Sequence, residues 1–244
     1  MSTSARVLIV TPVLRWFQRA LASHEALIDA APCRAEWLLL RHQRGMEEGA
    51  RAVLLAWQTA TERMRAGNYT HLLTLEDDMV VPPDALAKLL ALDAPVAYGL
   101  YVWRRKPYFW NAYRTMSMDN GASWSYDQPH TAARMLLAAA PVETQGLGNG
   151  CTLIKREVLD ICPWRLDAGR AAPDWWFAND CLAAGVGQVH HFGVVCGHMT
   201  LLPSPRVLWP AVNQHDRADT YHQMLDLSFA PFAPHADYQQ RIEI

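Results

Sequence analysis

No apolar run in this sequence approaches the roughly 20 residues that a bilayer-spanning helix needs, so no membrane span is expected. No basic block is longer than Arg104-Arg105-Lys106, and the net charge is −2, which argues against nucleic acid or an anionic membrane as the main partner. No C-x-x-C pair occurs among Cys33, Cys151, Cys162, Cys181 and Cys196. An odd, scattered set of thiols argues against a disulfide framework or a zinc ribbon and fits a reducing compartment. The early apolar run Val7–Val10 is too short for the hydrophobic segment of a secretory signal, so a cytoplasmic location is expected. G-x-S-x-G, Walker A and H-E-x-x-H patterns are absent, and the mechanisms they serve have no foothold here. There is no internal repeat, low-complexity tract or linker, so the expectation is one domain over residues 1–244.

What is present is ordinary globular material, 51 % hydrophobic and 19 % charged, in a regular order. Arg6–Thr11 reads as a buried strand halted by Pro12. Trp16–Ile28 has helical spacing, and Trp37–Leu40 is a second buried strand. A helical face joins Met46, Ala50, Val53, Leu54, Trp57 and Met64, with Gly67-Asn68 as its stop. His71–Leu75 is a third strand, Pro82-Pro83-Asp84 opens a helix through Leu90, and Val96–Tyr101 is a fourth strand. Strands alternating with helices predict an α/β fold with a Rossmann-like, mostly parallel sheet flanked by helices, whose ligands sit beyond the carboxyl ends of the strands. The second half is less regular. Trp103–His130 reads as a long loop region with room for a hairpin, and Arg134–Val142 as a strand. Gly146–Gly150 (GLGNG) is a turn, Cys151–Lys155 a strand, Arg156–Ile161 a short helix, Asp174–Ala184 a helix ended by Gly185, and Gln188–Cys196 the last strand. The tail after Pro203 shows no period.

One short stretch carries most of the chemistry. Glu76, Asp77 and Asp78 end a purely apolar strand with three adjacent carboxylates, which repel one another and resist dehydration. Alternate residues project to one side, so Glu76 and Asp78 can converge while Asp77 points away. Two hard oxygen donors suit Mg²⁺ or Mn²⁺; a solvated acidic turn facing the dipole of the next helix is the other reading. His198 follows an apolar strand, and an imidazole among carboxylates would tilt the choice toward Mn²⁺. Adjacent His190 and His191 point to opposite faces and read as structural. Asp174, in APDWWFAND, is either a helix cap or a carboxylate base beside aromatic walls; Asp180 on the same helix is a weaker candidate. The glycines of GLGNG serve a tight turn or a close backbone approach to a ligand. Among Arg104, Arg105 and Lys106, one is a candidate to neutralise a diphosphate, against a plain surface cluster. Ten tryptophans fit a packed core, and flat aromatic faces also suit sugar rings.

The segments RVLIVTP, HLLTLEDDMVVPPDAL, VAYGLYVWRRKP, GLGNGCTLIKREVL, PDWWFANDCLAAGVG and VVCGHMT occur in that order over roughly residues 6–200. This ordered set resembles the GT-A-fold glycosyltransferases, particularly the family-2-like bacterial and phage members. The resemblance implies that Glu76-Asp77-Asp78 is this chain's version of the D-x-D signature and faces the donor. Asp78 would be the direct metal ligand, Glu76 would touch the ribose or the metal shell, and His198 would complete the coordination. Asp174 would match the base of inverting members, and Thr11 and Pro12 would lie in the loop that holds the nucleotide base. It also implies a nucleotide-binding half over about residues 1–101 and an acceptor-binding half over about 102–244. Two departures stand out: Glu replaces the usual first Asp, and Pro173 stands where many relatives have an acid. The implied activity is metal-dependent transfer of a sugar from a UDP- or GDP-type nucleotide sugar to an acceptor hydroxyl on a carbohydrate or other molecule. Two rivals remain, a nucleotidyltransferase and a non-catalytic nucleotide-sugar or carbohydrate-binding protein. The first would want a glycine-rich loop after the first strand, where this chain has TPVLRWFQ.

Overall fold

Most of the apolar runs become strands buried on both faces, but Trp37–Leu40, expected to be buried, lies in an edge strand that is only half-buried, with Leu39 exposed. In the computed structural model, which describes residues 5–15, 17–41, 49–104, 110–113, 115–116, 124–125, 136–146, 148–166, 173–200 and 206–210, the chain begins with β1 (Arg6–Val13), α1 (Gln18–Asp29), β2 (Arg34–Arg41), α2 (Gly49–Ala66), β3 (His71–Leu75), β4 (Met79–Val80), α3 (Ala85–Ala91) and β5 (Val96–Leu100). It continues with β6 (Ala112–Tyr113), β7 (Thr115–Met116), β8 (Trp124–Ser125), β9 (Pro141–Glu143), β10 (Gln145–Gly146), β11 (Cys151–Lys155), α4 (Arg156–Ile161), α5 (Pro173–Ala183), β12 (Gln188–Val195), β13 (Gly197–Met199) and β14 (Val207–Leu208).

The main sheet has seven strands in the order β2-β1-β3-β11-β5-β12-β9. Strands β1, β2, β3, β5 and β12 run one way, and β11 and β9 run against them. Alternation along β1 shows why the sheet is covered twice. Val7 and Ile9 pack with Leu27 of α1 and Leu86 and Leu89 of α3. Leu8 and Val10 pack on the other face with Leu54, Trp57 and Met64 of α2 and Phe177 of α5. There Trp164 stacks at 4.7 Å from Trp57 and 4.4 Å from Phe177, with its indole N–H on Thr61 Oγ1 at 3.0 Å. The expected α/β class with a mostly parallel, helix-flanked sheet is what the chain adopts.

The strand order reverses between β1 and β3, because the chain goes outward to β2 and then crosses back. That junction is the switch point at which such sheets open a crevice. The ends of β1 and β3 meet there. β11 runs antiparallel, with Cys151 opposite Leu75, so the turn before it also lies at the carboxyl end of β3.

Several boundaries differ from the sequence reading. The first strand does not halt at Pro12 but continues to Val13. Past Val10 it has only β2 beside it, so a residue without an N–H is tolerated. Gln188–Cys196 is not the last strand. The chain turns at Cys196 into β13, which joins β4 and β14 in a separate antiparallel sheet. The strand expected over Arg134–Val142 begins only at Pro141, after a helical stretch at 136–138 and a turn where Ala139 has φ of 51°. A short antiparallel pair, β7 with β8, lies in the loop region. Gly185 ends α5 as expected, with φ of 67° and Val186 N–H on Cys181 O at 2.8 Å. The expected helix positions Trp16 and Met46 lie outside the described residues, as do Arg105, Lys106, most of 103–130 and the tail from 211. Among the described residues, no helix is long and apolar enough to cross a membrane.

Candidate functional site

The strand β3 stops at Leu75 because Glu76–Asp78 turn the chain back: Met79 N–H donates to the Glu76 carbonyl at 3.1 Å, and β4 follows. Two distant segments fix this turn. Glu76 N–H donates to Gly150 O at 3.0 Å, and Met199 N–H donates to Asp78 O at 2.8 Å. The second bond belongs to the pairing of β13 with β4, which sets His198 opposite Met79. Behind the turn, the buried His24 donates Nε2–H to Met79 O at 2.9 Å and ties α1 to it. Burial lowers that imidazole to about 4, so it stays neutral.

The three carboxylates then part company. Asp77 points away from the others, and its Oδ2 accepts the N–H groups of Leu14 and Arg15 at 2.7 and 2.5 Å. It is a brace for the loop after β1, with burial pushing its carboxyl up to about 6 against those two bonds. Glu76, Asp78 and His198 converge, each offering one ligand atom within 4.8 Å of the others. Asp78 is 2 % and His198 6 % exposed, while Glu76 is half-buried.

The protonation pattern of this trio is informative. His198 Nδ1 lies 2.8 Å from Val102 O. A carbonyl only accepts, so Nδ1 carries the hydrogen, and in the neutral ring Nε2 presents a lone pair. That nitrogen faces Asp78 Oδ1 at 3.6 Å, too far for a hydrogen bond. Both atoms are buried and have no hydrogen-bond partner among the described residues. With the ring neutral, two acceptors confront each other out of water, a costly arrangement that a proton or a metal ion between them relieves. Burial drives the Asp78 carboxyl upward, but His198 in its protonated form, Arg104 and Arg15 outweigh it and hold it below the ordinary range. Glu76 is pushed up to about 8 by burial and by the charges of Asp78 and Asp174.

Two guanidiniums reach the outer oxygen of Asp78. Arg104 Nη1 donates to Oδ2 at 2.5 Å, and Arg15 Nη1 lies 3.8 Å from it. Asp174, in the first turn of α5, is half-buried, accepts Trp175 N–H at Oδ1 (2.9 Å), and has its pKa raised by burial. Its Oδ2 faces Gly148, which has φ of 94°. A Cβ on Gly148 would come within 2.0 Å of the Tyr101 hydroxyl, so only glycine fits. Tyr101 also stands edge-on to His198 at 5.5 Å between ring centroids. Burial and the nearby Glu76 and Asp174 keep its hydroxyl protonated. Trp175 and Trp176 cross at 89° beside Asp174, and Trp103 and Tyr113 join their cluster.

The expected site residues thus separate. Glu76, Asp78, Asp174 and His198 come together at the switch point. Thr11 and Pro12 do not lie in a loop. Thr11 is fully buried in β1, where its Oγ1 accepts Trp37 Nε1–H at 3.0 Å; Leu14 and Arg15 form the loop instead. Asp180 is held by Arg165 through two bonds of 2.7 Å. His190 and His191 are on opposite sides of β12, one fully buried and one half-buried. Sequence reasoning missed Arg15, Tyr101 and the dependence of Gly148 on Tyr101. Arg15 alone had a signal, as the lone cation just past a strand at the switch point.

No protein-family model matches this chain, and no curated protein matches it. Among solved structures it is similar to A197 from STIV, with TM-score 0.54, 16 % identity, and coverage of 84 % of this chain and 90 % of that one. It is also similar to GalNAc-T7 solved with UDP, GalNAc and Mn²⁺, with TM-score 0.51, 10 % identity and 81 % of this chain covered. The match spans 44 % of the GalNAc-T7 chain. At these identities the likeness is one of fold, a Rossmann-like sheet of the GT-A type.

Proposed function

We propose that this protein is a metal-dependent glycosyltransferase that moves a sugar from a nucleoside-diphosphate sugar to an acceptor hydroxyl. One observation carries the reading: Asp78 Oδ1 and His198 Nε2 are buried, unpartnered and aimed at each other beside Glu76, at the crevice of a GT-A-type sheet. That donor set fits a divalent ion, with the imidazole favouring Mn²⁺ over Mg²⁺. Glu76, Asp78 and His198 would hold it, and such an ion neutralises charge on a departing diphosphate. The same charge would draw the proton from Glu76 and bring its carboxylate into use.

The chain's own groups supply the rest. Asp174 has one oxygen fixed by Trp175 N–H and the other open toward Gly148. With its raised proton affinity, Oδ2 is suited to take the proton of an acceptor hydroxyl in an inverting reaction. The aromatic wall of Trp175, Trp176 and Trp103 keeps water from this carboxylate and offers a flat surface to a sugar ring. Tyr101 and Gly148 set the gap between base and carboxylate trio.

The experiment is a thermal-shift and turnover screen of UDP- and GDP-sugars with and without Mn²⁺. Stabilisation that needs both nucleotide and metal, followed by release of the nucleoside diphosphate, is the expected result. Release of pyrophosphate from a nucleoside triphosphate would instead identify a nucleotidyltransferase. Binding without any turnover would identify a binding protein.

A further inference from the structure

The carboxylate cluster poses a charge problem that a metal alone does not solve. Glu76, Asp78 and Asp174 lie near one another, and Asp77 adds its charge from behind. With a divalent ion bound, the three facing carboxylates still outweigh its two charges. Such a site repels a diphosphate. Two cations correct the balance, one from each flanking loop. Arg15 follows β1 and Arg104 follows β5, and both are directed at Asp78 Oδ2, the oxygen turned away from His198. Each side chain is partly exposed, 41 % for Arg15 and 29 % for Arg104. Arg104 uses one of its five N–H donors on Asp78, and Arg15 approaches without a hydrogen bond. Both guanidiniums keep N–H donors beyond those turned to Asp78, and a planar fork of this kind matches phosphate oxygens in pairs.

We infer that Arg15 and Arg104 form a two-sided clamp for the diphosphate of the donor, each bridging Asp78 to phosphate oxygens. The inference rests on the glycosyltransferase reading and adds a recognition element to it: the site takes nucleoside diphosphates and discriminates against monophosphates through these two residues. Asp77 is the brace that makes the clamp possible, because it holds the Leu14 and Arg15 backbone in place.

The test is calorimetry in saturating Mn²⁺ with UDP, UMP, GDP and GMP, on wild type, Arg15→Gln, Arg104→Gln and Arg104→Lys. Wild type is expected to prefer one diphosphate over its monophosphate. Each Gln variant should lose roughly tenfold in diphosphate affinity while monophosphate affinity moves by less than about threefold. Arg104→Lys keeps the charge without the fork and should recover part of the loss. Binding of Mn²⁺ alone should be no weaker in the variants. An unchanged diphosphate-to-monophosphate ratio in both Gln variants would overturn the clamp. So would loss of Mn²⁺ binding in Arg104→Gln, which would make Arg104 a support for Asp78 alone. Wild type failing to bind any diphosphate with metal sinks the functional reading itself, whereas wild-type binding with indifferent variants sinks only the clamp.

Discussion

His190 and His198 invite comparison because so much about them is alike. Both are buried, both lie against a tyrosine at the β5 end of the sheet, and both have Nδ1 engaged. His190 stacks on Tyr98 at 4.7 Å with Nδ1 on Thr144 Oγ1 at 2.6 Å; His198 stands edge-on to Tyr101 with Nδ1 on Val102 O. In each, Nε2 has no partner. The difference is what Nε2 faces. Around His190, burial alone acts and lowers the imidazole to about 3. A neutral ring with one ring nitrogen left without a partner is a tolerable thing to bury. His198 instead meets the equally bare Asp78 Oδ1 with Glu76 close by. Burial and an unpartnered ring nitrogen are therefore weak signs of function. Two acceptors set against each other are a strong one.

The comparison can be broken most decisively at Asp78. Asp78→Asn should abolish metal-dependent nucleotide binding and lower turnover by about 10³-fold or more; a variant that still binds UDP or GDP only with Mn²⁺ would return His198 to the same class as His190. Next in size, Asp174→Asn should cost about 10²–10⁴-fold in turnover, with nucleotide affinity nearly unchanged in calorimetry. Loss of an outer-shell partner alone typically weakens a metal by about 10–100-fold, so His198→Ala should weaken Mn²⁺ by at least that much. His190→Gln should leave Mn²⁺ affinity within about twofold, since it lies outside the trio. The smallest effect sharpens the contrast in stability. The unfolded His190 takes a proton near its ordinary 6.5, and the folded one only near 3. Protons thus favour the unfolded chain, and stability falls as pH drops below about 6.5, by about 1.4 kcal/mol per unit from this group. His24, lowered to about 4, adds to the same fall. Urea melts between pH 7 and 4 should show a shallower slope for His190→Gln than for wild type.

Where periodicity was strong, the sequence was readable. His71–Leu75, Cys151–Lys155 and Arg156–Ile161 end where the residues say they do, because a short apolar run bounded by charged or turn residues has few ways to be buried. The two-residue strands β4 and β14 carry no such pattern, and the three-residue β13 falls just past Cys196, where the sequence reading ends its last strand. Yet these three strands deliver His198 to Asp78. Arg15 and Tyr101 escaped notice for a related reason. A single cation in a loop and a tyrosine at a strand end look ordinary until a partner far along the chain is placed beside them.

By itself, the sequence determined the alternation of main-sheet strands and helices through β5, the burial of the central strands, and the carboxylates at the end of β3. These follow from local pattern and from the need to bury apolar surface. Alternation already sets Asp77 apart from its neighbours, but only the tertiary structure decided that Asp77 holds the Leu14 and Arg15 N–H groups while Asp78 faces His198. Adjacent residues of one kind acquire different work through pairings across 60 residues or more, and spacing along the chain does not encode those contacts.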